Sequence, residues 1–262
     1  MAFKYRAKKN LGQNFLIDDL IIQKILDAIR PKDNDIIVEI GPGQGAITIP
    51  IAQSNAIIHA IEIDKDLISV LQKKLMPFPN IKLHNQNALN FKISDLGDNL
   101  RIIGNLPYNI STPLLFNLMG YRECINDSHV MIQKEVASRL IATPGNKDFG
   151  RLTVMFGTYM KTKHLFDVIN TSFDPIPKVT SSFLNIRPKS NSEITVNNEY
   201  HLSKIVKQAF SQRRKKLRNS LKGLVSDKMM ENINICPSKR AEEIPIFKWS
   251  ELANYSEKND YE

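Results

Sequence analysis

Short apolar runs separated by amphipathic stretches characterise the first two thirds of the chain. The apolar runs occupy residues 36–40, 57–63, 100–103 and 129–133, with a shorter one at 81–84. They have the length of strands, and the stretches between them, at about 46–54 and 65–75 and from Ser111 onward, are typical of helices. Alternating strands and helices predict a parallel, doubly wound sheet.

The remaining third follows a different pattern. Residues 165–169 and 182–186 are predicted strands on either side of FDPIPKV, and their closeness in the chain favours antiparallel strands at the end of the sheet. Residues 188–199 are polar and predict a linker, and helices are predicted at 200–212 and 213–224. The predicted fold class is therefore α/β, a Rossmann-like sheet in residues 1–190 followed by a small all-helical domain in residues 191–262.

Charge and cysteine content narrow the class of protein. The 262 residues include 36 Lys and Arg against 27 Asp and Glu, a net charge of +9, which favours a polyanionic partner such as nucleic acid, although many basic proteins bind none. Cys124 and Cys236 lack metal-ligand spacing, so we predict reduced thiols and no metal site. The basic N-terminal stretch has no apolar segment after it, and no run approaches the ~18 residues that span a membrane. These features predict a soluble, cytoplasmic protein.

A glycine-rich loop follows the strand at 36–40. Gly41, Gly43 and Gly45 let the backbone turn sharply and approach a ligand, and the next helix N-terminus favours a negatively charged group. With Glu62 about 20 residues on, the loop fits a dinucleotide fingerprint with an acid for ribose hydroxyls. Both NAD and S-adenosylmethionine (SAM) carry such a ribose, so the loop leaves both open, with a plain strand-to-helix turn as the alternative.

The stretch GNLPYNISTP comes at the end of another strand, at the rim where α/β sheets bind ligands. The side-chain carbonyl of Asn105 and the backbone carbonyl of Leu106, constrained by Pro107, can accept the two N–H groups of an exocyclic amine. This would concentrate the nitrogen lone pair for attack on a sulfonium methyl, while Tyr108 stacks on the base. The alternative is that Pro107 ends the strand and Tyr108 fills a cleft. Hydride transfer would need an acid or base beside the nicotinamide, and the sequence offers no candidate.

Together these residues resemble the bacterial small-subunit rRNA adenine dimethyltransferases, the KsgA/RsmA family, over nearly the whole chain. The matching segments are KKNLGQNFL (8–16), VEIGPGQGAIT (38–48), AIEID (60–64), NLPYNISTPLL (105–115), QKEVASRL (133–140), FDPIPKVTSSF (173–183) and FSQRRKKLRNSL (210–221). The resemblance implies a SAM-dependent methyltransferase fold without a metal. It also implies N6,N6-dimethylation of two adjacent adenosines, in a hairpin near the 3′ end of 16S rRNA of the immature small ribosomal subunit.

The resemblance also assigns site residues. SAM contacts are expected at Asn14, Leu16, Gly41, Gly43, Glu62, Asn87 and Asn105. The family usually has Asp where this chain has Asn87; Asn keeps an acceptor for an adenine N–H but lacks the charge, so SAM binding should survive. Asn105, Leu106, Pro107 and Tyr108 would form the catalytic pocket. Phe173 would be a second aromatic wall, unless it is a core residue at a strand end.

A basic cluster is predicted on the helix at 213–224: Arg213, Arg214, Lys215, Lys216, Arg218 and Lys222. Leu217, Leu221 and Leu224 would pack inward and leave the cations for RNA phosphates. Most isolated runs of this kind are solvated faces, which is the alternative here. We expect the protein to act as a monomer.

Three other functions stay open. An RNA-binding assembly factor could keep the fold with little catalysis, and the antibiotic-resistance methyltransferases share the core but modify large-subunit rRNA. The mitochondrial homologue that doubles as a transcription factor would need an arginine-rich presequence, which the chain does not show.

Overall fold

The computed structural model describes residues 5–259, which divide into two compact units. The first comprises the described residues up to Ala137 together with Lys163–Pro188, and the second comprises Ser138–Thr162 with the described residues from Lys189 onward. The boundary predicted at residue 190 assigns residues 138–162 to the first domain, whereas the structure groups this segment with the second unit.

The strands and helices run in the following order. The strands are β1 (Phe15–Leu16), β2 (Ile36–Ile40), β3 (Ile57–Glu62), β4 (Ile81–Asn85), β5 (Leu100–Asn105), β6 (Ile125–Gln133), β7 (Met160–Val168), β8 (Phe173–Asp174) and β9 (Ser181–Pro188). The helices are α1 (Asp19–Ile29), α2 (Thr48–Ala52), α3 (Lys65–Leu75), α4 (Ser111–Gly120), α5 (Lys134–Leu140), α6 (Arg151–Tyr159), α7 (Glu199–Ser211), α8 (Leu217–Ser220), α9 (Asp227–Asn232) and α10 (Ile246–Asn259).

Within residues 5–259, seven of the strands form one sheet in the order β4-β3-β2-β5-β6-β9-β7. The pairs β4–β3, β3–β2, β2–β5 and β5–β6 are parallel, and β9 runs antiparallel to β6. The predicted α/β fold, with a parallel sheet and antiparallel pairing towards its end, is confirmed. Because β3 and β5 flank β2 on opposite sides, the chain reverses its direction of strand addition at β2.

The core of the first unit explains why these segments are strands. Ile37, Ile58 and Ile103 lie on three adjacent strands and are at most 1% exposed. Parallel strands covered on both faces read as apolar runs without alternation, which is the pattern of β2, β3 and β5. Helix α1 begins where the Asp18 carboxylate accepts the N–H groups of Leu20 and Ile21, and it adds its apolar face to this core.

The second unit is helical, and α6, α7 and α10 pack against one another. Trp249 is fully buried and donates its indole N–H to the Ile244 carbonyl at 3.2 Å. A Cβ at Gly157 on α6 would come within 2.6 Å of the Ile246 side chain, so α6 and α10 approach closely. This packing is why residues 138–162 belong to the second unit.

The predicted helix at 213–224 is wrong in extent, because only Leu217–Ser220 is α-helical. Lys216 forms an antiparallel bridge with Arg240, and the Leu217 N–H donates to the Lys239 carbonyl at 2.8 Å. These contacts take backbone groups that a continuous helix would use. Leu217 and Leu221 are nonetheless fully buried, as predicted.

Candidate active site

A cleft with about 700 Å³ of open space lies at the carboxyl ends of β2, β3 and β5. Its wall includes Gly41 and Gly43 after β2, Glu62 at the end of β3 and Asn105 at the end of β5. Ligands of open α/β sheets bind at such a reversal point. Three features that are far apart in the sequence, the glycine loop, the acid and the Asn-Leu-Pro-Tyr stretch, therefore line one cleft.

The glycine loop has a backbone conformation that residues with a side chain adopt only with strain. Gly41 and Gly43 have φ values of +70° and +58°, in the left-handed region. A Cβ at Gly43 would lie 3.1 Å from the Phe15 ring. The glycine hydrogens therefore leave main-chain atoms accessible in the cleft, which suits close approach by a ligand.

Glu62 is a buried carboxylate at the cleft wall. It is 6% exposed, and its Oε1 accepts the Asp64 N–H at 2.9 Å. Burial raises the pKa of Glu62, while the hydrogen bond from the Asp64 backbone opposes the rise. Its placement suits acceptance of hydrogen bonds from hydroxyl groups of a ligand.

Asp64, two residues on, ties the N-terminal arm to this wall. Its buried side chain accepts hydrogen bonds from Lys8 Nζ at 2.7 Å, from Gln13 Nε2 at 2.9 Å and from the Tyr5 hydroxyl. Burial alone would raise the pKa of Asp64, but these donors outweigh it and lower the pKa to about 2. We define the contacts of Tyr5, Lys8 and Gln13 with Asp64 as the arm clasp.

Asn105 has a defined side-chain orientation. Its Nδ2 donates to the backbone carbonyl of Asn14 at 3.0 Å. Because a carbonyl only accepts, the partner determines which end of the amide is nitrogen. The Oδ1 atom receives no hydrogen bond from residues 5–259, so it is left as an acceptor on a residue that lines the cleft.

Gly104 and Leu106, on either side of Asn105, fix its position at the end of β5. A Cβ at Gly104 would clash with the Ile40 carbonyl on β2, so only glycine allows this approach of the two strands. The Leu106 N–H donates to the Met131 carbonyl at 3.0 Å, and the Leu106 side chain is fully buried. No residue in the described part of the chain donates a hydrogen bond to the Leu106 carbonyl. Leu106 and Pro107 both line the cleft.

Tyr108 is half-buried at the same wall, and its hydroxyl lies 2.6 Å from the Ser181 hydroxyl. Burial raises the pKa of Tyr108, so the phenol stays protonated at neutral pH. The predicted pocket residues Asn105, Leu106, Pro107 and Tyr108 are therefore contiguous around one cleft.

Asn87 and Glu39 contribute further polar groups. Asn87 lines the cleft, and its Oδ1 accepts the Leu89 N–H at 3.0 Å. Glu39 is 2% exposed and borders a smaller recess beside the glycine loop, where its Oε2 has no partner among the described residues. Burial raises the pKa of Glu39 to about 7.

The arm residues and Phe173 occupy different surroundings. Asn14 lines the cleft and the recess, while Leu16 borders only the recess and is 7% exposed. Phe173 pairs with Leu16 in the β1–β8 ladder, is 1% exposed and lies in the apolar core, outside the cleft wall. The second aromatic wall expected at Phe173 stays a prediction, and in this structure the side chain packs in the core, which is the alternative given above.

Four positions of this site were not singled out by the sequence: Gln13, Asp64, Gly104 and Ser181. Gly104 could have been found, because a glycine just before a polar strand end often marks a close approach of backbones. The others act through contacts between distant segments, which no local pattern reports.

The predicted basic cluster lies in the second unit and splits into two groups. Arg213 bonds to Glu242 at 2.9 Å and to the Phe149 carbonyl at 3.1 Å, and Arg218 pairs with Asp227 at 3.5 Å. The remaining four cations are exposed and have no ion pair within residues 5–259: Arg214, Lys215, Lys216 and Lys222. The Lys216–Arg240 bridge adds exposed Lys239 and Arg240 beside them, which the sequence did not indicate.

Residues 5–259 contain no group of three or more His, Cys, Asp or Glu side chains placed to hold a metal ion. No helix in the same range is long and apolar enough to cross a membrane.

Known proteins resemble this chain over nearly its full length. Residues 4–258 match the family described as ribosomal RNA adenine dimethylase. The ribosomal RNA small subunit methyltransferase A of Dechloromonas aromatica is 46% identical over 95% of this chain and 97% of its own. The protein of the same name from Hydrogenovibrio crunogenus is 44% identical over 98% of each chain.

Solved structures agree with the fold. A dimethyladenosine transferase from Plasmodium falciparum superposes with a TM-score of 0.82 at 25% identity, over 94% of this chain and 98% of its own. The 23S rRNA methyltransferase ErmE has a TM-score of 0.73 at 22% identity, over 93% of this chain and all of its own, which is evidence for the shared fold alone. The resemblance expected from the motifs is confirmed, and this chain, a SAM-dependent methyltransferase in fold, belongs to the ribosomal RNA adenine dimethylase family.

Proposed function

We propose that the protein transfers methyl groups from SAM to N6 of two adjacent adenosines, in a hairpin near the 3′ end of 16S rRNA. Its substrate would be the immature small ribosomal subunit, and the protein would act in the cytoplasm as a monomer. The names of the two bacterial relatives support the small-subunit target. The observation that carries the chemistry is the orientation of Asn105: its Nδ2 is used by the Asn14 carbonyl, and its Oδ1 is left as an acceptor on a residue that lines the cleft together with Leu106.

These two acceptors suit an aromatic amine. The N6 lone pair of adenine is delocalised into the ring, which makes the nitrogen a poor nucleophile. Hydrogen bonds from its two N–H groups to Asn105 Oδ1 and the Leu106 carbonyl favour a pyramidal nitrogen with a localised lone pair. Tyr108 offers a ring on which the flipped base can stack, a contact worth ~1–3 kcal/mol. No general base is required, because the methylated nitrogen is acidic enough to lose its proton to water.

The cleft also fits SAM, which supplies an electrophilic sulfonium methyl when bound. Glu62 would accept hydrogen bonds from the ribose hydroxyls, and the backbone at Gly41 and Gly43 would contact the ligand closely. Asn87 would lie at the adenine of SAM. Its Oδ1, which accepts the Leu89 N–H, would also accept an N–H of that adenine. Asn14 and Leu16, both in the N-terminal arm, would contact SAM from that side of the site. Leu16 would do so from the adjoining recess, which it lines.

The exposed cations of the second unit support binding to RNA phosphates. Arg214, Lys215, Lys216 and Lys222 have no competing acid within residues 5–259. Contacts of this kind hold the RNA without reading its sequence. Arg213 and Arg218 are engaged within the protein and would contribute less.

Mass spectrometry of methylated nucleosides tests the proposal. Purified protein and SAM are incubated separately with immature small subunits and with naked large-subunit rRNA. We expect N6,N6-dimethyladenosine in the small-subunit RNA only. Methylation confined to large-subunit RNA would favour an activity of the resistance type, and RNA binding without methylation would favour an assembly factor.

A further inference from the structure

The Tyr108 hydroxyl has one hydrogen-bond partner among the described residues, the hydroxyl of Ser181 at 2.6 Å. Ser181 is the first residue of β9 and is fully buried. Its backbone faces Gln133 in the β6–β9 ladder, and the preceding carbonyl, of Thr180, accepts the Lys134 N–H at 3.0 Å. The Ser181 hydroxyl is therefore a fixed point of the sheet, separate from the loop that carries Tyr108.

A tyrosine ring at a cleft wall can pivot about its side-chain bonds unless something restrains its far end. The Tyr108 side chain is only half-buried, so packing alone leaves part of the ring unrestrained. The hydrogen bond to Ser181 restrains the phenol oxygen, which lies farthest from the backbone. Because the phenol stays protonated at neutral pH, both hydroxyls can serve as donor or acceptor, and the bond persists across the working range.

We propose that Ser181 is a positioning residue of the methyl-transfer reaction, holding the Tyr108 ring at the angle at which the target adenine stacks. This inference rests on the proposed function, since it needs an adenine in the cleft. Ser181 would touch neither SAM nor RNA and would move no proton. Ser181 would instead raise the fraction of time in which the bound base is oriented for attack. The rate of transfer is sensitive to this orientation.

The neighbouring Ser182 provides a matched control. It is the same residue type on the same strand, is 1% exposed and donates its hydroxyl hydrogen to Asp167 Oδ1 at 2.7 Å. Ser182→Ala therefore also removes one buried hydroxyl and one hydrogen bond from β9. Any loss of stability common to such changes will appear in both variants, and only Ser181→Ala releases Tyr108.

Single-turnover methyl transfer at saturating SAM tests the inference. We expect Ser181→Ala to slow transfer about three- to tenfold, the size of one neutral hydrogen bond. SAM affinity should be unchanged, and Ser182→Ala should stay within twofold of the wild type. Tyr108→Phe keeps the ring but loses the same bond, so it should match Ser181→Ala, and the double variant should be no slower than either.

If the wild type methylates RNA, either of two outcomes would overturn the inference. One is an equal rate of transfer for Ser181→Ala and Ser182→Ala. The other is a double variant, Ser181→Ala with Tyr108→Phe, whose loss of rate is the product of the two single losses. If Ser181→Ala does not fold, Tyr108→Phe probes the same bond from the cleft side, and full activity of that variant overturns the inference. A wild type that transfers no methyl group to RNA would instead overturn the proposed function, and this inference with it.

Discussion

The side-chain amide of Asn105 donates to the main-chain carbonyl of Asn14, across 91 positions of sequence. This bond joins the end of a central strand to the N-terminal arm and leaves the side-chain oxygen of Asn105, a residue that lines the cleft, as an acceptor. The arm is thus part of the wall that would receive the target amine, rather than an appendage.

Asn105→Ala should lower methyl transfer at least about a hundredfold while RNA binding stays intact, because an acceptor for the amine is lost in a preorganised site. Transfer is measured with labelled SAM, and binding by filter retention of RNA. Asn109→Ala is the control. The Asn109 Nδ2 makes only a long hydrogen bond, 3.5 Å, to the Asn10 carbonyl, so that variant should keep most activity. Substantial dimethylation by Asn105→Ala would refute the role assigned to the amide.

Asp64→Asn should weaken SAM binding about tenfold, because the arm clasp loses charge-assisted hydrogen bonds and Glu62 loses a rigid neighbour. Asn is itself a good helix cap, so α3 should still begin at this residue. Calorimetric titration with SAM gives the affinity. Asp66→Asn removes only the exposed partner of Lys8 and should change it little; equal affinities for both variants would show that the arm clasp does not act on the SAM site.

Asn87→Asp should tighten SAM binding about fivefold, since a charged acceptor makes a stronger hydrogen bond than an amide. The turn to Leu89 should persist, because a carboxylate can accept the same N–H. Titration of both proteins with SAM measures the difference. Unchanged affinity would mean that the replacement of the usual family Asp is immaterial here.

Glu39→Gln should make stability less dependent on pH. Burial raises the pKa of Glu39 from 4.5 to about 7, so folding favours the protonated carboxyl, and wild-type stability should fall as the pH rises from 4.5 to 7. Urea unfolding of both proteins should therefore diverge over that window, to at most about 3 kcal/mol in favour of Gln at pH 8. A difference that is constant from pH 4 to pH 8 would contradict a raised pKa.

Lys215→Gln and Lys216→Gln should each reduce the salt dependence of RNA binding by about one unit of log–log slope. Lys207→Gln, an exposed lysine on α7 outside the cluster, is the control and should leave the slope unchanged. Arg213→Gln should instead lower the free energy of unfolding, because it breaks bonds to Glu242 and the Phe149 carbonyl. Slopes identical to the wild type in both lysine variants would exclude this surface from phosphate binding.

The site could be predicted in outline because it depends on local patterns. The apolar runs of β2, β3 and β5 are continuous, and parallel strands end at one edge, so residues that follow them converge. Gly41, Glu62 and Asn105 meet for this reason.

The rest depends on contacts between distant segments. Asp64 reads as an ordinary helix cap, and nothing near it in the sequence indicates that Lys8 and Gln13 bind it. Phe173 was ambiguous because an aromatic residue at a strand end packs in the core as readily as at a pocket. The helix predicted from Arg213 is cut short because Lys216 pairs with Arg240, a contact that helical periodicity does not report.

The acceptor that orients Asn105 is a main-chain atom, and this has a consequence for how the arm can change over time. A carbonyl is present whatever residue stands at position 14, so the acceptor for the Asn105 amide does not depend on the identity of that side chain. What must be kept is the path of the backbone, and hence Gly12, which has a φ of +65°. The orientation of Asn105 at the reacting end of the cleft therefore depends on the backbone of the arm, whereas the SAM contact proposed for Asn14 depends on its side chain.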